Sequence, residues 1–388
     1  MCFSPNLSRN IRRQNMNLAT LRPLGSSGLL VSPLALGTMT FGTPRWGMDE
    51  AASRAVFDRY VELGGNFVDT ADVYSGGKSE EMVGKFVAEA ALRERMVLAT
   101  KSGFNTGNGS HEGGQGRRHL EAAVNRSLKR MQTDYIDLYW IHIWDGITPA
   151  LELLQTMSGL IAQGKIRYWG LSNSPAWFVA QLGTLARVHG LPAPIGLQYF
   201  YSLVERGVED EHVPMARELG MGLVPWSPLA YGLLTGKYDR ATVEAEPSRS
   251  GGVPNSGGEA GGRPENDKRL DGDNPFGDQL FTDRNWRIVD AVKKVAADMG
   301  ETPARVALAW VAGRPCVAST LMGVSRVDRV NDNVGALGLS LPSEATSALD
   351  SASDEGGRFL YGLFQPPARN QMVFGGANVV ARTYDTIR

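Results

Sequence analysis

The chain has 388 residues, 40 of them basic and 41 acidic, for a net charge of −1. That balance, with 42% hydrophobic and 21% charged residues, describes a globular protein with a sizeable core and argues against a nucleic-acid or acidic-membrane partner. Glycine is the outlier: 46 residues, about 12% of the chain against a usual ~7%, which calls for many loops, an orderless segment, or both.

Residues 1–16 carry Arg9, Arg12 and Arg13 but no apolar stretch, so they read as a disordered extension rather than a secretory signal, and Met16 is an alternative start. Residues 17–388 read as a single domain. It opens with two short runs around Gly25-Ser26-Ser27-Gly28, a hairpin signal. Short apolar runs then alternate with amphipathic stretches. The strand candidates are 34–39, 66–70, 96–101, 135–142, 166–172, 195–200, 222–226 and 317–322. Helical patterns span 49–63, 79–92, 116–131, 149–163, 175–189 and 210–219, with Gly64, Gly164, Gly190 and Gly220 at the expected stops. Several strands are apolar throughout, as strands covered on both faces must be.

Eight strand–helix units predict an α/β fold, a (β/α)8 TIM barrel with an N-terminal β-hairpin at its mouth. A doubly wound sheet would want a Gly-rich fingerprint after the first strand, and TFGTPRWG is not one. After the seventh strand, residues 239–283 are rich in Gly, Pro, Asn, Asp and Glu and lack periodicity, so they read as a long mobile loop on the side where barrel active sites form. Two cysteines, Cys2 and Cys316, cannot form a disulfide framework, and no Cys/His spacing reads as zinc. No apolar run reaches the ~20 residues of a spanning helix. A cytoplasmic protein without metal or membrane partner is expected, its oligomeric state left open.

A barrel carries its functional groups at the C-terminal ends of its strands. Asp69 closes NFVD, Tyr74 follows in DTADVY, Lys101 closes VLATK and His142 closes YIDLYWIH. Each alone could serve an ordinary structural role, as a cap, a rim group or a packed histidine. Together, on consecutive strand ends, they form a proton-handling set. A free phenol titrates near ~10, an ammonium beside it lowers that value, and a carboxylate keeps the ammonium charged. Tyr74 is then the general acid, Lys101 and Asp69 its tuning pair, and His142 a donor that orients a carbonyl. This machinery suits carbonyl reduction with a hydride from a cofactor.

The stretches ALGTMTFG, NFVDTADVYSGGKSEEMVGK, LATKSGF, SLKRMQTDYIDLYWIH, GKIRYWGLSN, LQYFYSLVER, GLVPWSPLAYGLLTGKY and GVSRVDRVNDN run in order from about residue 21 to 340. With them the chain resembles an aldo-keto reductase, in the branch with the potassium-channel β-subunits and related bacterial reductases. The resemblance implies the barrel, and places Asp69, Tyr74, Lys101 and His142 on the family's catalytic tetrad. It also implies a nicotinamide dinucleotide held without a Rossmann fold. Ser172, Asn173 and Gln198 would hold the carboxamide. Trp226, by itself a core aromatic, would stack on the nicotinamide, with Ser227, Pro228 and Leu229 along the pyrophosphate and Lys237 under the phosphates. Gly323, Ser325, Arg326, Arg329, Asp332 and Asn333 fall on the adenosine-phosphate segment. Arg329 and Asp332 stand where the branch usually has Gln and Glu. An added guanidinium beside Arg326 suits a 2′-phosphate, hence NADPH over NADH, with a salt bridge to Asp328 or Asp332 as the competing use of Arg329.

Trp46, Phe104 and Trp144, with Asp145, are the expected substrate-pocket walls, and their aromatic character suits an apolar or ring-shaped carbonyl compound. The Gly-rich loop 105–116 lacks the Lys-Ser/Thr of a P-loop and reads as a flexible rim, and His111 and His119 have no metal-ligand partner. Two alternatives remain. One is an NADPH-binding redox-sensing regulatory subunit of the channel type, against which His142 counts, since the channel members lack it. The other is a Schiff-base lysine barrel, against which the Lys101–Asp69 pairing counts.

Overall fold

A computed structural model describes residues 16–43, 47–107, 109–245, 270, 278–356, 359–377 and 379. Eight parallel strands form the barrel: β3 (Leu34–Gly37), β4 (Phe67–Asp69), β5 (Val97–Ser102), β6 (Ile136–Ile141), β7 (Ile166–Ser172), β8 (Gly196–Gln198), β9 (Gly222–Leu223) and β10 (Thr320–Gly323). Each of β3 to β8 pairs with the next, and β10 pairs with β3. Leu223 bridges Val317 and the Leu321 N–H donates to the Pro225 carbonyl at 2.9 Å, which brings β9 up to the chain entering β10. Such a ring has no edges to protect. All six residues of β5 are buried, as expected for a strand covered on both faces.

The helices follow the predicted stretches within two or three residues. They are α1 (Glu50–Glu62), α2 (Lys78–Glu89), α3 (Arg117–Arg130), α4 (Ala150–Ala162), α5 (Ala176–His189) and α6 (His212–Leu219). Asp49 caps α1 by accepting from the Ala52 N–H, and Gly190 and Gly220 end α5 and α6 in left-handed geometry. Gly170 answers a different demand. A Cβ there would lie 2.4 Å from the Trp140 ring, so its missing side chain makes room for that indole inside the barrel.

The hairpin is present, as β1 (Arg22–Pro23) and β2 (Leu30–Val31). Leu24 and Val31 pack into the same buried cluster as Ala35, Phe67, Val97, Ala99, Leu138 and Trp140 of the barrel strands. The Ser26 N–H donates to the Gly220 carbonyl at 2.8 Å, just before β9 begins, so the hairpin seals the N-terminal end. Function is left to the opposite end.

Within the stretch read as a loop, Arg240–Ala245 form α7, because the Asp239 carboxylate accepts from the Thr242 N–H at 2.9 Å and caps the turn. Leu270 is fully buried and its N–H donates to the Tyr238 hydroxyl at 2.9 Å. The rest of the expected loop, 246–269 and 271–277, lies outside the described residues, as does 1–15 of the extension. Two further helices, α8 (Asp283–Met299) and α9 (Pro303–Ala312), lead into β10. After it come α10 (Val327–Gly335), α11 (Ser343–Ala352), α12 (Phe359–Phe364) and α13 (Pro366–Phe374). Among the described residues no helix is long and apolar enough to cross a membrane.

Candidate active site

Asp69 is the last residue of β4, Lys101 the fifth of β5, and His142 follows β6 directly. Tyr74 begins the tight turn Tyr74–Gly77, whose Ser75, Gly76 and Gly77 all have positive φ. The four side chains meet at the C-terminal mouth. Lys101, fully buried, donates from Nζ to the Asp69 carboxylate, to the Thr70 carbonyl at 2.7 Å and to the Tyr74 hydroxyl at 3.5 Å. The His142 and Tyr74 rings stand edge-on with centres 6.0 Å apart. Asp69 is held from two further sides, by the Trp140 indole N–H at 2.9 Å and the Gln198 amide at 3.0 Å, both on Oδ2. A buried ion pair persists when its remaining lone pairs are satisfied in this way.

The electrostatics follow from burial. For Lys101, burial favours the neutral amine, but the Asp69 charge and then Tyr74 outweigh it, so the ammonium titrates above its usual range. For Tyr74 the balance differs from the sequence expectation. Burial raises the phenol more than the Lys101 charge lowers it, and Asp69 adds to the rise, so the net direction is upward. His142 is driven well below the usual imidazole range, first by burial and then by the Lys101 charge. Its Nδ1 is buried without a partner. At neutral pH the site thus holds a protonated phenol, an ammonium–carboxylate pair and a neutral imidazole.

The candidate cofactor residues line the neighbouring strand ends. The Ser172 hydroxyl donates to the Gln198 carbonyl at 2.7 Å, and the Asn173 amide to the His142 carbonyl at 3.0 Å. Asn173 and Ser227 both have positive φ, at 44° and 49°, a strain that non-glycine residues carry mainly at functional sites. Trp226 is half-buried and packs against the cluster that holds Trp140 and Val224. It stacks on Phe200 with ring centres 4.9 Å apart and planes 19° apart, and its indole N–H has no partner. Pro228 is buried and Leu229 half-buried as the chain turns toward Lys237, whose exposed side chain runs over Gly232. Beyond β10, Gly323 is exposed and Ser325 half-buried, while Asn333 is buried. Arg326 forks onto Asp328 at 2.5 and 2.9 Å, and Arg329 lies 4.0 Å from the same carboxylate. Asp332 is engaged by Arg305 at 3.0 Å rather than by Arg329.

Among the expected pocket walls, Phe104 packs edge-on against His142 at 4.4 Å, and Trp144 meets Trp177 and Phe178 at 5.5 and 6.1 Å. Asp145 faces its own loop instead. It accepts from the Gln115, Ile147 and Thr148 N–H groups and from the Thr148 hydroxyl, which lowers its pKa and ties the loop after β6 to the 105–116 rim. Trp46 lies outside the described residues. No group of His, Cys, Asp and Glu among the described residues is arranged to hold a metal ion.

Residues 33–354 match the profile of the Aldo/keto reductase family. The chain belongs to that family. It is 33% identical over 316 residues to a probable voltage-gated potassium channel subunit beta of Oryza sativa, covering 81% of this chain and 90% of that one. It is 34% identical over 340 residues to an uncharacterized oxidoreductase of Bacillus subtilis, covering 84% and 94%. Over a shorter 218 residues it is 41% identical to an aryl-alcohol dehydrogenase of Pestalotiopsis microspora, covering 54% of this chain and 56% of the other. An aldo/keto reductase is an oxidoreductase acting on small molecules, and the family generally uses a nicotinamide cofactor.

Several residues of this aldo/keto reductase site do not stand out in the sequence. Trp140 is two residues before His142 on β6, and period two puts both on the barrel's inner face, so that spacing is the signal for its reach to Asp69. Phe200 under Trp226 carries no such signal, because the pairing spans two strand ends. Asp72 is the least expected. It is 3% exposed, neither carboxyl oxygen has a side-chain partner, and burial followed by the nearby Glu80 charge outweighs Arg130, Arg126 and the Val73 N–H and pushes its pKa up to about 7. Glu80, fully buried on α2, accepts from Thr100 and from Arg130, each at 2.5 Å. The Arg130 side chain reaches it across Gly77, where a Cβ would lie 2.7 Å away. This polar layer sits under the turn that carries Tyr74.

Proposed function

We propose that this aldo/keto reductase interconverts an aldehyde or ketone and the corresponding alcohol with NADPH, residues 17–388 acting as one domain. The observation that carries the reading is the Lys101 ammonium placed between the Asp69 carboxylate and the Tyr74 hydroxyl. A protonated phenol at the mouth is poised to donate to a carbonyl oxygen. The ammonium beside it steadies the phenolate left behind, and Asp69 keeps that ammonium charged. His142, neutral, acts as the Nε2–H tautomer, because a buried Nδ1 without a partner is cheaper as a bare lone pair than as an unpaired N–H. Its free edge then orients the carbonyl, with Phe104 and Trp144 as apolar walls.

The residues present fit a nicotinamide dinucleotide. Trp226 offers a half-buried ring backed by Phe200; Ser172, Asn173 and Gln198 lie at the ends of β7 and β8, and Lys237, Arg326 and Arg329 supply positive charge. When bound, NADPH supplies the hydride. The Arg326–Asp328 fork is solvent-exposed and therefore weak, so both guanidinium groups are available to a 2′-phosphate. The regulatory-subunit alternative is not favoured, because a chain kept for sensing has no need of His142. An aromatic carbonyl is the favoured substrate class, in keeping with the aryl-alcohol dehydrogenase relative.

The test is oxidation of NADPH by 4-nitrobenzaldehyde, in the wild type and with Arg326 and Arg329 both replaced by alanine. Turnover by the wild type, with KM rising far more for NADPH than for NADH in the double variant, supports the reading. No turnover by folded, cofactor-loaded protein overturns the enzyme assignment, and equal effects on the two cofactors overturn the NADPH assignment.

A further inference from the structure

The aromatic rim beyond His142 extends further than a single ring requires. Trp177, the second residue of α5, is 59% exposed. Leaving an indole in water forgoes about 25 cal/mol for each Å² that could be buried, and several apolar side chains gathered in one patch mark a binding surface where a lone one does not. The ring is not loose. It stands edge-on to Trp144 at 5.5 Å and to the buried Phe178 at 5.7 Å. The backbone under Trp144 is fixed in turn, because the Trp144 backbone N–H donates to the Asn173 carbonyl at 3.3 Å while the Asn173 side-chain amide donates to the His142 carbonyl at 3.0 Å. The four hydrogen bonds on Asp145 hold the rest of that loop. Ile147, 86% exposed, extends the apolar rim on the same loop.

The mouth therefore has two aromatic tiers. Phe104 lies against His142 itself. Trp144 is two residues of chain (at most ~7 Å) from His142, and Trp177 is one ring contact from Trp144. We propose that Trp177 is a specificity-determining platform for the distal rings of fused multi-ring aromatic carbonyl substrates. The proposal rests on the reading of the Tyr74–Lys101 centre as a carbonyl-reducing site. A single-ring aldehyde fills the inner tier, while a fused system carries its far rings onto the indole. A preformed platform of this kind costs little ordering on binding.

The test compares kcat/KM for anthracene-carbaldehyde and benzaldehyde in the wild type, Trp177→Ala and Trp177→Phe. In parallel, anthracene-carboxylic acid is titrated into each protein and its fluorescence followed. The ratio of the two kcat/KM values should collapse about tenfold in Trp177→Ala, mostly through KM for the larger substrate, and recover in part in Trp177→Phe. The acid should bind the alanine variant correspondingly more weakly. An unchanged ratio or unchanged binding of the acid overturns the platform. Should the wild type reduce neither aldehyde, the carbonyl-reductase reading fails, and the titration alone decides whether Trp177 holds fused rings.

Discussion

The Trp140 indole N–H donates to Asp69 Oδ2 at 2.9 Å, so the carboxylate that holds Lys101 is itself held by the strand that delivers His142. A hydrogen bond to a buried charge is worth about 1.5–3 kcal/mol, more than an ordinary one. Trp140→Phe keeps a large ring in the barrel but removes the donor. It should lower Tm and also reduce kcat about tenfold, ~1.4 kcal/mol of barrier, with NADPH affinity little changed. Stopped-flow and equilibrium titration check this, and a drop in Tm with kcat intact would make Trp140 a packing residue alone.

The pH profile of reduction follows from the two perturbed rings. His142 titrates well below the usual imidazole range, so no loss of rate should appear on acidifying through ~6.5. Tyr74 titrates above its usual ~10 and stays protonated throughout neutral pH, so the alkaline decline should begin late. Profiles of kcat/KM over the stable range read both limbs. An acid limb near ~6.5 that vanishes in His142→Gln would contradict the neutral imidazole.

Asp72 predicts a stability that falls with rising pH. Its folded pKa of about 7 exceeds the ordinary aspartate value of 3.8, so between those values the unfolded chain releases a proton that the folded chain keeps. Stability is therefore lost as pH rises through that window and is level above it. Asp72→Asn removes the ionisation. Its gain over the wild type should be small at low pH and largest at mildly alkaline pH, on the order of 4 kcal/mol at most. Denaturant midpoints at either end of the window measure it, and an equal offset at both ends would show that Asp72 does not titrate there.

The architecture is largely legible in the sequence because a barrel repeats one pattern, and strands covered on both faces leave apolar runs such as MVLA, two residues short of Lys101. The strand ends are legible for the same reason, since Asp69, Lys101 and His142 are polar groups closing apolar runs. What the sequence hides depends on contacts across the fold. The sign of the Tyr74 shift hangs on how deeply the phenol is buried, which no spacing reveals. Phe200 and Trp226 stack across two strand ends, and Trp177 of α5 meets Trp144 in the loop after β6. Helix α7 is obscured by Gly- and Pro-rich neighbours, although Asp239 supplies its cap signal.

The central claim is that Tyr74, tuned by Lys101, protonates the carbonyl oxygen. Its most direct test is single-turnover oxidation of NADPH bound to Tyr74→Phe, with 4-nitrobenzaldehyde as the partner. The variant should bind NADPH within about twofold of the wild type yet oxidise it at least about a hundredfold more slowly. Oxidation at the wild-type rate by Tyr74→Phe would contradict the account.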